Sequence, residues 1–208
     1  MLTINRLILG PVETNCYIIS NEDTKEAIVF DPAENTEEII KCLEKEGVKL
    51  AAILLTHGHF DHMTAANELR EKCEAKVYAH EMEKELLATP DMNLSTLFTG
   101  QPVSTNADLL VKDNEELMLA GVRIQVIYTP GHTIGGCSYY LPEQKILISG
   151  DTLFKGTIGR TDFPTGDYKT LITSVKKRLF QLDDDVKVLP GHNEITSIGY
   201  EKQYNSEL

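Results

Sequence analysis

The segment Thr56-His57-Gly58-His59-Phe60-Asp61-His62, THGHFDH, holds three of the chain's six histidines and an aspartate. Imidazoles this close repel one another when protonated and need partners when buried and neutral. A divalent cation removes both difficulties, because it binds neutral imidazole nitrogen and carboxylate oxygen. Three further short stretches carry the same residue types beside a glycine. TPGHT contributes His132, SGDTLF contributes Asp151 and PGHN contributes His192. His57, His59 and His132 can supply three nitrogens to one ion, and Asp61, His62 and His192 can serve a second. Asp151 can bridge, since a carboxylate has two oxygens and offsets part of both charges. Two ions about 3.5–4 Å apart lower the pKa of a shared water toward about 7 and polarise a substrate carbonyl. The chemistry expected is hydrolysis by metal-bound hydroxide, with no serine or cysteine nucleophile. A metal-binding fold without enzymatic role is the competing class, but a purely structural ion needs only four closed ligands.

These residues require a scaffold that brings four loops to one edge. The apolar run 51–56 reads as a buried strand, and 62–73 carries apolar residues at helical spacing. Asp61 stands where an N-cap belongs, and Gly58 lets the chain bend between the two elements. If the strand's period of two continues, His57 and His59 share a direction. His132, Asp151 and His192 each follow a further expected strand, at 122–128, 145–149 and 185–189. The other strands expected are 2–9, 15–20, 26–30, 76–79, 109–111, 116–119 and 136–141. Helices are expected at 35–46, 81–88 and 167–181. The turn-rich stretch 89–108 is long for an idle connection and suggests a lid or site wall. Strand-rich runs with helices at intervals in both halves imply an α/β sandwich, two mixed sheets face to face with helices on the outer faces. Hairpin-like pairs such as 116–119 with 122–128 disfavour a single doubly wound sheet.

Composition bounds the partners. A chain of 208 residues with 41% hydrophobic content can bury one full core, and a single domain over 1–208 is expected. The net charge of −12 argues against nucleic acid or an anionic membrane surface, leaving a small molecule as partner. No long apolar run and no basic-then-apolar leader pattern is present, which points to the cytoplasm. Cys16, Cys42, Cys73 and Cys137 form no CxxC pair, as expected for reduced thiols.

THGHFDH, GHT, GD and GHN in this order resemble the metallo-β-lactamase superfamily over nearly the whole chain. The resemblance implies an αββα sandwich with a metal site at one edge and supports the same seven ligands, with Asp61 and Asp151 as catalytic groups. Within the superfamily the chain looks like a small glyoxalase II-type (hydroxyacylglutathione hydrolase-like) hydrolase. That implies two divalent ions, zinc favoured over iron or manganese, and hydrolysis of a thioester such as S-lactoylglutathione. The antibiotic-degrading branch usually has Cys or Ser where Asp151 stands, which disfavours β-lactams. Full-length glyoxalase II holds part of its glutathione with a C-terminal helical segment. Here 16 residues follow His192 (208 − 192), so a smaller hydroxyacyl thioester, or an ester or lactone, is an alternative. The GRTDF stretch is also similar to persulfide dioxygenases, in which His57, His132 and Asp151 would hold one iron.

Several residues outside the seven are candidates for supporting roles. Lys155 and Arg160 follow Asp151 closely and could meet an anionic substrate, although Arg160 could instead pair with Asp162 to stiffen the loop. Asp31, in VFDPA, could orient a ligand histidine through its second nitrogen or simply shape a turn before Pro32. Phe98 could contact substrate from the long loop. His80 reads as a surface or capping group, and Cys137 as core.

Overall fold

The computed structural model describes residues 1–208. Strands β1 (Leu2–Leu9), β2 (Thr14–Asn21) and β3 (Glu26–Phe30) open the chain as an antiparallel meander. Helix α1 (Thr36–Glu46) then leads to β4 (Lys49–Leu54), and α2 (Phe60–Met63) and α3 (Ala66–Cys73) lead to β5 (Lys76–His80). After a 3-10 turn come α4 (Lys84–Ala88), α5 (Ser95–Thr99) and β6 (Leu109–Val111). Strands β3 to β6 are parallel neighbours, an arrangement that requires such crossover connections. The six strands lie in chain order in one mixed sheet.

The second half begins with β7 (Glu116–Leu119), β8 (Val122–Tyr128), β9 (Cys137–Leu141) and β10 (Ile146–Gly150). A ribbon of β11 (Leu153–Phe154) and β12 (Thr157–Ile158) precedes α6 (Tyr168–Lys177), β13 (Lys187–Pro190), β14 (Thr196–Ser197) and α7 (Ile198–Tyr204). The second sheet runs β14-β13-β10-β9-β8-β7, with β10 and β13 parallel and the rest antiparallel.

Strand periodicity sorts the side chains into three apolar layers. In β4, Ala52 and Leu54 join Ile124, Tyr139 and Ile148 between the sheets. Ile53 faces the other way, onto Ile39 and Leu43 of α1 and Leu69 of α3. In β10, Leu147 packs outward with Leu171 and Val175 of α6 and Ile198 of α7. Each such buried aliphatic side chain contributes about 1.5–3 kcal/mol relative to exposure. The result is the expected αββα sandwich, with helices on both outer faces.

Local differences from the sequence reading cluster at the site. Pairing in β4 ends at Leu54, two residues before the expected 56. Leu55 N–H still donates to Tyr78 O, but Thr56 O accepts from Cys137 N–H in the other sheet. The chain therefore crosses between sheets there, and alternation along a strand does not aim His57 and His59. Asp61 lies inside α2 and caps nothing; the residue before that helix is His59. The expected helix 62–73 is broken, because Ala65 N–H donates to Pro32 O (3.0 Å) and not back along the helix. Gly58 serves close packing, since a Cβ there would lie 2.8 Å from Leu86 Cδ2. Helix 167–181 is α6 followed by a 3-10 turn, and β11, β12, β14 and α7 are too short or too polar to stand out in sequence.

Candidate metal centre

Four loops meet at one edge of the sandwich. The loop after β4 carries His57 and His59 and runs into α2 with Asp61 and His62. The loops after β8, β10 and β13 carry His132, Asp151 and His192. All seven residues come together. Asp151 stands centrally: Oδ1 lies 3.4 Å from His62 Nε2, and Oδ2 lies 3.6 Å from His132 Nε2 and 3.5 Å from His192 Nε2. Asp61 Oδ2 lies 3.4 Å from His62 Nε2 and 3.3 Å from His192 Nε2. Three overlapping groups each bring donor atoms within 4.8 Å of one another: His57–His59–His132, His57–His62–Asp151 and Asp61–His62–His192. Between them the three groups contain all seven expected residues.

The donor set fits divalent cations on its own chemistry. The Nε2 atoms of His57, His59 and His62 and Oδ1 of Asp151 are buried without a hydrogen-bond partner. Leaving such atoms unpaired costs about 1–3 kcal/mol each, and more for a charge. Nitrogen and oxygen donors without thiolate suit zinc, iron or manganese.

Asp31 explains which ring nitrogens face the centre. Its carboxylate accepts from Thr56 N–H (2.8 Å) and from Thr56 Oγ1 (2.7 Å), so that hydroxyl's proton is committed. The hydroxyl then accepts from His57 Nδ1–H (3.1 Å), which leaves the lone pair on Nε2. Asp31 Oδ2 also accepts from His62 Nδ1 (3.1 Å). One carboxylate thus fixes a histidine of each set, directly for His62 and through Thr56 for His57. Asp31 also holds a left-handed backbone (φ 51), so its turn role and its orienting role coexist. His132 is fixed separately, with Nδ1 donating to Arg160 O at 2.7 Å. Asp31→Asn puts an N–H where His62 needs an acceptor, and is expected to weaken metal binding by ~10–100-fold. Chelator competition on the variant measures this.

The electrostatics divide the site. Burial, reinforced by the neighbouring imidazoles, holds His57 well below the usual histidine range. Burial, then His132, brings His59 to about 3. Burial also lowers His132, against the pull of Asp151. These three imidazoles are held neutral, the form in which a ring nitrogen can bind a cation. At His62 burial is outweighed by Asp61, Asp151 and Asp31, and its pKa is raised. At His192 burial is likewise outweighed by Asp151 and Asp61, which push it up to about 9. Burial opposes the charge of Asp151, yet His62 and His192 bring it down to about 2.

A cavity of about 220 Å³ opens onto the donors, walled by Val12, Phe60, Leu94, Phe98 and Phe163, with Arg160 at its rim. The long loop therefore is a site wall: Phe98 on α5 stacks on Phe60 (5.8 Å) and meets Phe163 edge-on (5.8 Å). Arg160 forms two 2.7 Å bonds to Asp162 and lies 3.8 Å over the Phe163 ring. Its pairing and its place at the cavity coexist, on an exposed and not a buried loop. Lys155 is not at the cavity; it pairs with Glu194. His80 is buried, stacked on Tyr128 at 4.4 Å, and caps the 3-10 turn through Nδ1, so capping holds and surface exposure does not. Cys137 is core. Sequence reasoning missed Thr14, whose hydroxyl donates to Asp61 Oδ2 (3.1 Å), and Phe163, although the GRTDF stretch was a signal for the latter.

Comparison with known proteins agrees with this geometry. The family model described as the metallo-beta-lactamase superfamily matches residues 9–192. Hydroxyacylglutathione hydrolase GloC of Haemophilus influenzae is 37% identical, over 94% of this chain and 93% of its own length. The crystal structure of the BLEG-1 B3 metallo-beta-lactamase is 38% identical with a TM-score of 0.93, covering 98% of both chains. That of TTHA1623 in a di-iron-bound form is 32% identical with a TM-score of 0.87, covering 98% of this chain and all of the other. With its four loops, its sandwich and these relatives, the chain belongs to the metallo-beta-lactamase superfamily.

Proposed function

We propose that this protein is a dinuclear-metal hydrolase that cleaves a thioester, S-lactoylglutathione or a smaller hydroxyacyl thioester. The observation that carries the reading is the meeting of two donor sets around Asp151 beside a cavity of about 220 Å³. His57, His59 and His132 would hold one ion, Asp61, His62 and His192 the other, and Asp151 both. Zinc and iron each suit these donors, and the di-iron relative supports a two-ion reading. Two ions so held supply an activated water at neutral pH and polarise a carbonyl oxygen.

The chain's own residues then do the rest. The wall of Phe98, Phe60 and Phe163 excludes water beside the donors and seats the acyl part. Asp31, Thr56 and the Arg160 carbonyl keep the imidazoles aimed. Apart from the paired Arg160, every titratable group lining the cavity is one of the seven donors. The site therefore offers no spare general acid, which suits a leaving group that departs as a stable anion, as a thiolate does.

The likeness to a B3 enzyme supports β-lactam hydrolysis as a second reading, and it weakens the expectation against β-lactams drawn from Asp151 alone. The test is one metal-loaded preparation given S-lactoylglutathione, a short hydroxyacyl thioester, a chromogenic cephalosporin and glutathione persulfide. Thiol release at the highest kcat/KM of the set is expected. Faster cephalosporin opening would favour the second reading. Oxygen uptake with persulfide and no cleavage of either thioester would make the protein a mononuclear iron dioxygenase.

A further inference from the structure

Glu83 ends the 3-10 turn after β5, is fully buried and touches none of the seven donors. Its Oε1 accepts the Gly58 N–H at 2.9 Å, and Gly58 is the residue between His57 and His59. Its other oxygen faces the Thr133 hydroxyl and the Gly135 N–H, just past His132, short of full hydrogen-bond geometry to either. The approach is tight: a Cβ on Gly135 would lie 2.3 Å from both Glu83 N and Oε2. A second contact presses the first loop onto the same segment, since a Cβ on Gly58 would meet Leu86 at 2.8 Å and Leu87 at 3.0 Å.

We infer that Glu83 is a positioning residue, whose buried carboxyl holds the loop of His57 and His59 by a hydrogen bond, packs against the loop of His132, and so sets the spacing of the first metal set. This rests on the two-set reading above. A buried carboxyl with no cation beside it is expensive, and a leucine would fill the same space without that cost. What the carboxyl adds is an acceptor for the Gly58 N–H and a second oxygen packed against Thr133 and Gly135 of the other loop. Burial pushes it up to about 7, partly offset by the Gly58 N–H, Thr133 and the Gly135 N–H. A neutral amide of the same length keeps an acceptor for the Gly58 N–H and can turn its N–H toward the unpaired Thr133 hydroxyl, whereas a carboxylate one methylene shorter cannot reach both loops.

The test compares E83Q and E83D with wild type as cobalt(II) is titrated into metal-free protein, following visible absorption and chelator competition. Thermal unfolding of each metal-free form is measured alongside. E83Q should bind both ions as wild type does. E83D should lose ~10–100-fold at the His57–His59–His132 set and leave the Asp61–His62–His192 set unchanged. E83D binding both ions normally, or both variants weakening both sets alike, overturns the inference. An E83D chain that fails to fold also counts against it, because the carboxyl's reach would then serve the fold and not the site. Wild type binding a single ion would sink the two-set reading, while the effect of E83D on that ion would still decide the role of Glu83.

Discussion

Asp151→Ala is expected to abolish tight binding of both ions and to lower kcat/KM by ~10³-fold or more. Its carboxylate is placed against donors of both sets, 3.4 Å from His62 and 3.6 Å from His132. Removing it leaves two cations facing each other without the shared anion, and repulsion at such range is severe in a buried site. The several kcal/mol that metal activation supplies are then lost, which sets the fold-change. His192→Ala is the contrast, because His192 belongs to the second set alone and its loss should spare the first ion. Metal content and thioester turnover measured on both variants check the pair. Two bound ions and near-normal turnover in Asp151→Ala would refute the bridging role.

The two sets are also expected to respond differently to pH. Asp151 and Asp61, acting against burial, push His192 up to about 9, and carboxylates raise His62 as well. At pH 7 a cation entering that set must displace at least one proton. His57, His59 and His132 are neutral already and give up none. Affinity at the second set should therefore rise with pH between 7 and 9, by ~10-fold per unit for each proton displaced. Affinity at the first set should stay flat over the same range. Chelator competition at pH 7, 8 and 9 separates the slopes, and two equal slopes would count against the division.

The seven candidate donors are legible because metal chemistry demands particular side chains, and THGHFDH, GHT, GD and GHN display them without any tertiary information. The sandwich was legible for a related reason: strands covered on both faces, such as β4 and β10, are short apolar runs in residue order. Asp31 stood out because it ends a strand beside a proline. What escaped is what only the folded chain brings together. Thr14 reaches Asp61 across 47 positions and Glu83 reaches Gly58 across 25, and neither sits in a motif. Lys155 misled in the opposite way, since a charge near Asp151 in sequence says nothing of Glu194, 39 positions on, which holds it. Asp61 looked like a helix cap by local rules, yet the site claims its carboxylate and the helix begins before it.

The most direct test of a two-ion thioester hydrolase is a stoichiometric titration. Metal-free protein receives zinc or iron(II) in steps while thiol release from a hydroxyacyl thioester is followed. Turnover that reaches its plateau only at two equivalents per chain is the predicted result. A plateau at one equivalent, or no thiol release with two bound, would contradict it.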